Sequence, residues 1–150
     1  MQPAVSASSA VSGVLFVLVA ILSPAGVLDS AISLQRHYAK SETKFCDFTQ
    51  KFSCDIVNRS EYSTIAGIPV AGIGVVGYAA LFVLATFLKA RPETPTRLLV
   101  TSLAGLAFAL YLTYIEAYEL TTWCILCLIS LGLISLISLV AVFAKLRSRA

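Results

Sequence analysis

Four stretches of this chain stay apolar for long enough to cross a bilayer: about Val11 to Leu28, Ile65 to Leu88, Leu98 to Tyr118 and Thr122 to Ala144. A spanning helix takes roughly 20 residues. No charge interrupts a stretch until Glu116, near the end of the third. Backbone amides in hydrocarbon have no water to bond, so each stretch is predicted to be a helix. The alternation of a membrane barrel strand is absent. The first stretch has one alternative, a cleaved signal peptide, but residues 1–10 carry no Lys or Arg to begin one. The connections are 29–64, 89–97 and 116–121. The short ones predict an antiparallel four-helix bundle, an all-α membrane protein forming a single domain over 1–150.

The first connection is long for a small bundle, and such loops are usually functional or disordered. Its composition argues against disorder, because Phe45, Phe48, Phe52, Ile56, Val57 and Tyr62 punctuate it. Part of 45–62 is predicted to be a short helix at the interface, lidding the bundle mouth. Phe48 and Phe52 would share a face if that stretch is helical. The second apolar stretch opens Gly67-Ile68-Pro69-Val70-Ala71-Gly72-Ile73-Gly74 and runs on to Gly77. Ser102, Gly105 and Ala109 give the third a similar small face. Small residues admit either a neighbouring helix or a flat ligand.

Composition agrees with the pattern. The chain has 150 residues, 58% of them hydrophobic and only 13% charged, which is too apolar for a soluble domain. No basic face suits nucleic acid. The distribution of charge says more than the net +3. Lys89, Arg91 and Arg97 crowd the second connection, and Lys145, Arg147 and Arg149 crowd the tail. The positive-inside rule predicts both in the cytoplasm, with the N-terminus. The long loop and the turn before Cys124 would then face outward. Arg36, Lys40, Lys44, Lys51 and Arg59 in that loop are interleaved with acids.

This topology brings four cysteines to one membrane face. Cys46 and Cys54 lie in the long loop; Cys124 and Cys127 open the last apolar stretch. Disulfides persist on the outer side. A Cys-x-x-Cys at a helix start puts both sulfurs on one face. With Thr121 or Thr122 as N-cap, the pair would occupy the first turn, where free amides favour a thiolate. Cys46 and Cys54 could bridge only if the loop folds back. The pattern suits a dithiol–disulfide relay, in which lid motion brings the sulfurs together. Two static disulfides on a non-catalytic scaffold, or a four-cysteine zinc site, are the alternatives.

On these residues the chain resembles the vitamin K epoxide reductase family over nearly its whole length. The likeness rests on Cys46 and Cys54, Ser60 six positions later, and Cys124-Ile125-Leu126-Cys127. Ser102-Leu103-Ala104-Gly105, Tyr111-Leu112 and Ile115 add to it, as do Gly67-Ile68-Pro69-Val70, Gly74, Gly77 and Tyr78. The order of the pairs separates it from the quinone-reducing disulfide-bond formation protein B, where Cys-x-x-Cys comes first. The resemblance implies that a separate thioredoxin-like partner gives two electrons to the loop pair through Cys46. Cys54 would exchange with Cys124, and Cys127 would face a quinone, of ubiquinone or menaquinone type. Ser60 would support the lid or site by hydrogen bonding. Tyr111 is a candidate to meet a quinone carbonyl.

The vertebrate enzymes have a tyrosine four residues after the last cysteine, where this chain has Leu131. They also have an asparagine in the second span, where this chain has none. Plain quinone reduction is therefore expected, with vitamin K epoxide reduction as the rival. His37 is expected to be a solvated loop residue. Trp123 and Tyr118 are expected to be interfacial anchors. No metal is expected. A prokaryotic inner membrane is the expected location.

Overall fold

The computed structural model describes residues 3–40, 46–47 and 49–149, with side chains from residue 9 onward. Phe45 and Phe48, and with them the predicted Phe48–Phe52 face, lie outside the described residues. Four long helices make the body: α1 (Pro3–Tyr38), α3 (Val70–Thr86), α4 (Thr94–Ile115) and α5 (Ile125–Arg149). A five-residue helix, α2 (Cys54–Asn58), lies in the long connection. The long helices alternate in direction. α1 packs on α3 and α5, and α4 packs on the same two, closing a ring of four. Three of them are long and apolar enough to span a membrane; α3, with 17 residues, is shorter.

The bundle is apolar inside and out, as lipid solvent requires. Val19, Leu81, Leu98, Ile134, Ile137 and Ala141 form its core. Val17, Ile21, Val76, Leu110, Leu139 and Phe143 point outward. Helices approach closely where side chains are small. A Cβ on Gly26 would lie 2.2 Å from the Tyr78 ring, so α1 and α3 touch there only because the methyl is missing. Ser30 fits against Gly74 in the same way, and Ile134 against Gly105.

Three predicted boundaries are corrected. The first helix does not stop near Leu28; it runs through Pro24 to Tyr38. Asp29, Ser30, Ser33 and Arg36 are all buried, although hydropathy alone reads them as the start of a loop. Their spacing keeps them on one helical face. Second, Gly67-Ile68-Pro69 precedes the second long helix. Thr64–Ile65 and Ile68–Pro69 form a two-stranded antiparallel hairpin (β1, β2). Its turn residues Ala66 and Gly67 have φ of 53° and 82°, the signature of a tight primed turn. Third, the last helix starts at Ile125, one residue after Cys124. The preceding Glu116–Leu120 forms a π turn that ends at Thr121 in the left-handed region, φ 49°.

The two ends of the bundle differ. α1 and α4 end, and α3 and α5 begin, at the end carrying the cysteines. The basic residues of 89–97 lie at the other, where Lys145 Nζ donates to Thr96 Oγ1 at 2.5 Å.

Candidate active site

The lid is held by hydrogen bonds that no hydropathy pattern reports. Ser53 caps α2, its Oγ accepting from Ile56 N at 3.3 Å, and donates to Asp47. On either side of Phe52 the backbone joins the segment before α5. Trp123 N donates to Lys51 O (2.7 Å) and Ser53 N to Trp123 O (3.0 Å). This short parallel bridge brings Cys54 beside Cys124. A second set of contacts ties the lid to the end of α1. His37 Nδ1 donates to Asn58 O at 2.5 Å, and Arg59 Nε to Arg36 O at 3.3 Å. Asp55 lies between Arg36 (3.9 Å) and Arg59 (3.8 Å). Burial pushes the Asp55 carboxyl above its ordinary range; a hydrogen bond and negative charge from Asp47 add to this, while the two arginines oppose it. At the rim, Tyr62 OH reaches the Glu119 carboxylate at 3.5 Å, and that charge raises the phenol.

The four cysteines pack at this end in one cluster with Leu126, Val57 and Ile125. Cys46 and Cys54 are bonded, with Cα atoms 5.6 Å apart. Cys124 and Cys127 are thiols. Cys124 is itself the N-cap of α5. Its carbonyl accepts from Leu128 N (3.0 Å), and its Sγ accepts from Cys127 N (3.4 Å). Thr122 instead donates to Leu120 O, so neither threonine caps the helix as predicted. Asn58 links the two pairs: its Nδ2 donates to Cys54 O at 2.9 Å and lies 3.7 Å from Cys124 Sγ. Glu116 is 1% exposed; its Oε2 accepts from Cys124 N at 3.1 Å.

Below the sulfurs is a cavity of about 510 Å³, within the usual size of small-molecule sites. Cys127 and Asn58 are at its upper end. Its walls are largely apolar, from α3, α4 and α5, and include Gly74, Gly77, Phe108 and Leu112. Beyond Cys127 and Asn58 its polar groups are few: Asp29, Ser30 and Ser33 on α1, Thr101 on α4, and Tyr78 and Ser130, whose hydroxyls bond at 2.8 Å. An apolar slot with scattered polar groups and one thiol at its end fits a flat, lipid-soluble electron acceptor.

The predicted residues divide clearly. All four cysteines come together. Ser60 braces the lid, its Oγ donating to Val57 O at 2.8 Å, and faces a small crevice that also reaches Cys127 and Glu116. Tyr111 does not line the cavity. It sits at the edge of the α4 stripe formed by Ala104, Gly105, Phe108 and Leu112; its ring is half exposed and stacks on Phe108. His37 is not a solvated loop residue; it is in α1 and holds the lid. Asn58, Asp29 and Glu116 were missed as site residues. For Asp29 the available signal was its helical spacing with Ser33 and Arg36.

The family model described as the Vitamin K epoxide reductase family matches residues 17–143, which include every one of these cysteines. No curated protein matches the chain. The chain belongs to the vitamin K epoxide reductase family, whose members are membrane redox enzymes that couple thiol–disulfide chemistry to quinones.

Proposed function

We propose that this family member oxidises a thioredoxin-like protein outside the cytoplasm and passes the two electrons to a membrane quinone. The supporting observation is the single cysteine cluster, with a bonded pair in the lid and a thiol pair whose Cys127 faces an apolar cavity. The basic end of the bundle would be cytoplasmic and the cysteine end outside.

The chemistry follows from sulfur exchange. A partner dithiol attacks the lid disulfide at Cys46, leaves as a disulfide, and leaves Cys46 and Cys54 as thiols. Cys46 is fully buried, so the partner must displace the lid to reach it. Cys54 then attacks a Cys124–Cys127 disulfide at Cys124, and Cys46 resolves the mixed bond. The result is a bonded lid pair and two free thiols on α5, the distribution seen in this structure. Asn58 holds the exchanging sulfurs in register, and Ser60 braces the turn behind it. A quinone in the cavity would take two electrons and two protons from the α5 dithiol. Cys127 would meet it, with Asn58 and Tyr78 as the nearby polar groups.

The test is purified protein with reduced thioredoxin-like partner and a soluble quinone, followed by quinone absorbance. Wild type should reduce quinone in step with partner oxidation, and Cys127→Ala should not. Equal rates in the two proteins would refute the assignment.

A further inference from the structure

We infer that Glu116 is a catalytic residue: it accepts the Cys127 proton when that thiol becomes the nucleophile. The inference rests on the cavity-facing thiol of the proposed function. Three observations point to it. Glu116 is a carboxyl with almost no exposure, a costly placement without a compensating role. Only half of it is used structurally: Oε2 accepts from Cys124 N, while Oε1 is buried with no hydrogen-bond donor among the described residues. Glu116 and Cys127 also line the same small crevice. The π turn makes this placement, because its extra residue lets Glu116 O accept from both Thr121 N and Thr122 N while the side chain turns in under α5.

The surroundings leave Glu116 as the proton acceptor. The crevice joining it to Cys127 is lined by Asn58, Ser60, Tyr62, Ser63 and apolar groups, with no Lys, Arg or His. Cys127 faces the crevice from α5 and Tyr62 from the lid, while Cys124, at the N-cap of α5, bonds Glu116 through its backbone N–H. Glu119, in the same turn, is engaged by Tyr62. Asp29 is in the cavity beyond, on α1. The step balances. The Cys127 S–H bond breaks and its proton goes to Glu116. The Cys124–Cys127 S–S bond forms as the two sulfurs release two electrons to the quinone. Two protons follow, one from Glu116 and one from Cys124, and Glu116 returns to carboxylate.

A thiol and a carboxyl sharing one proton titrate as a pair, in two macroscopic steps. The experiment measures iodoacetamide labelling of Cys127 against pH by mass spectrometry, in full-length protein with Cys46–Cys54 intact and no quinone or partner. Wild type should show two steps separated by a range in which the rate barely changes. Glu116→Gln keeps an acceptor for Cys124 N and removes a buried charge. It should show a single step, with the rate rising about tenfold per pH unit below it. Quinone reduction should fall roughly 100-fold in Glu116→Gln and recover to within about tenfold in Glu116→Asp. A single step in wild type, or the same profile in both proteins, overturns the inference, and the wild-type measurement needs no variant. If wild type keeps its two steps but reduces no quinone, the acceptor assignment fails and the proton assignment stands.

Discussion

The two cysteine pairs occupy one cluster but are built by opposite means. The α5 pair is local: Cys124 and Cys127 are three apart, and a single helical turn places both sulfurs. The lid pair is tertiary. Cys46 and Cys54 meet because Ser53 caps α2, because Phe52 bridges to Trp123, and because Arg36 and His37 hold α2 from the side. A local pair keeps its geometry when its surroundings move. A tertiary pair can be opened and reclosed by moving the segment that carries it. Under the proposed function, that difference would suit one pair to quinone, at a fixed wall of the cavity, and the other to a bulky protein.

The comparison breaks most sharply at the sulfurs. Cys127→Ala should lower quinone reduction by at least about 10³-fold, whichever reductant is used. Cys46→Ala should abolish reduction driven by the protein partner. It should keep reduction driven by a small dithiol that reaches the α5 pair directly. Parallel turnover assays with the two reductants check this, and equal losses with both would mean that the pairs are not separate stations.

A smaller effect should come from the link between the pairs. Asn58→Ala removes the hydrogen bond to Cys54 O and the contact with Cys124 Sγ. The loss of about 1–2 kcal/mol of positioning should slow lid-to-helix exchange by roughly tenfold. Rapid-quench trapping of thiols after partner mixing would measure it, with small-dithiol turnover nearly unchanged.

The bundle should respond to size rather than chemistry. Gly26→Ala puts a methyl into the Tyr78 ring and should cost about 1–3 kcal/mol. Gly72→Ala has nothing within 4 Å and should be close to neutral. Thermal denaturation in detergent compares them.

The least effect should come from pH at the lid. The folded-state pKa of Asp55 is raised, so its contribution is fully present below the ordinary carboxylate range and is lost as pH rises through the raised value. Lid amides should exchange faster with deuterium as pH rises through that interval, after correction for the intrinsic exchange rate. Asp55→Asn should flatten that dependence.

The same division explains what could be read in advance. Long apolar runs report helices, and Cys-x-x-Cys reports a local pair, because both depend on neighbours in sequence. The last ten residues of α1 were hidden because Asp29, Ser33 and Arg36 are polar yet buried against protein, which hydropathy averaging cannot register. The Cys46–Cys54 bond was left open because it depends on a backbone bridge to Trp123, about 70 residues away. Tyr111 has a suitable hydroxyl, but a position at the edge of the α4 stripe turns its ring onto Phe108. Glu116 served only as an end-of-span marker, since a π turn that directs it inward leaves no mark in the periodicity.

The most direct measurement is sulfur capture between the two stations. In a Cys46→Ala, Cys127→Ala double variant only Cys54 and Cys124 remain. Mild oxidation followed by non-reducing peptide mass spectrometry should find them joined in most molecules. Two free thiols under those conditions, or linkage only between separate chains, would contradict an internal relay.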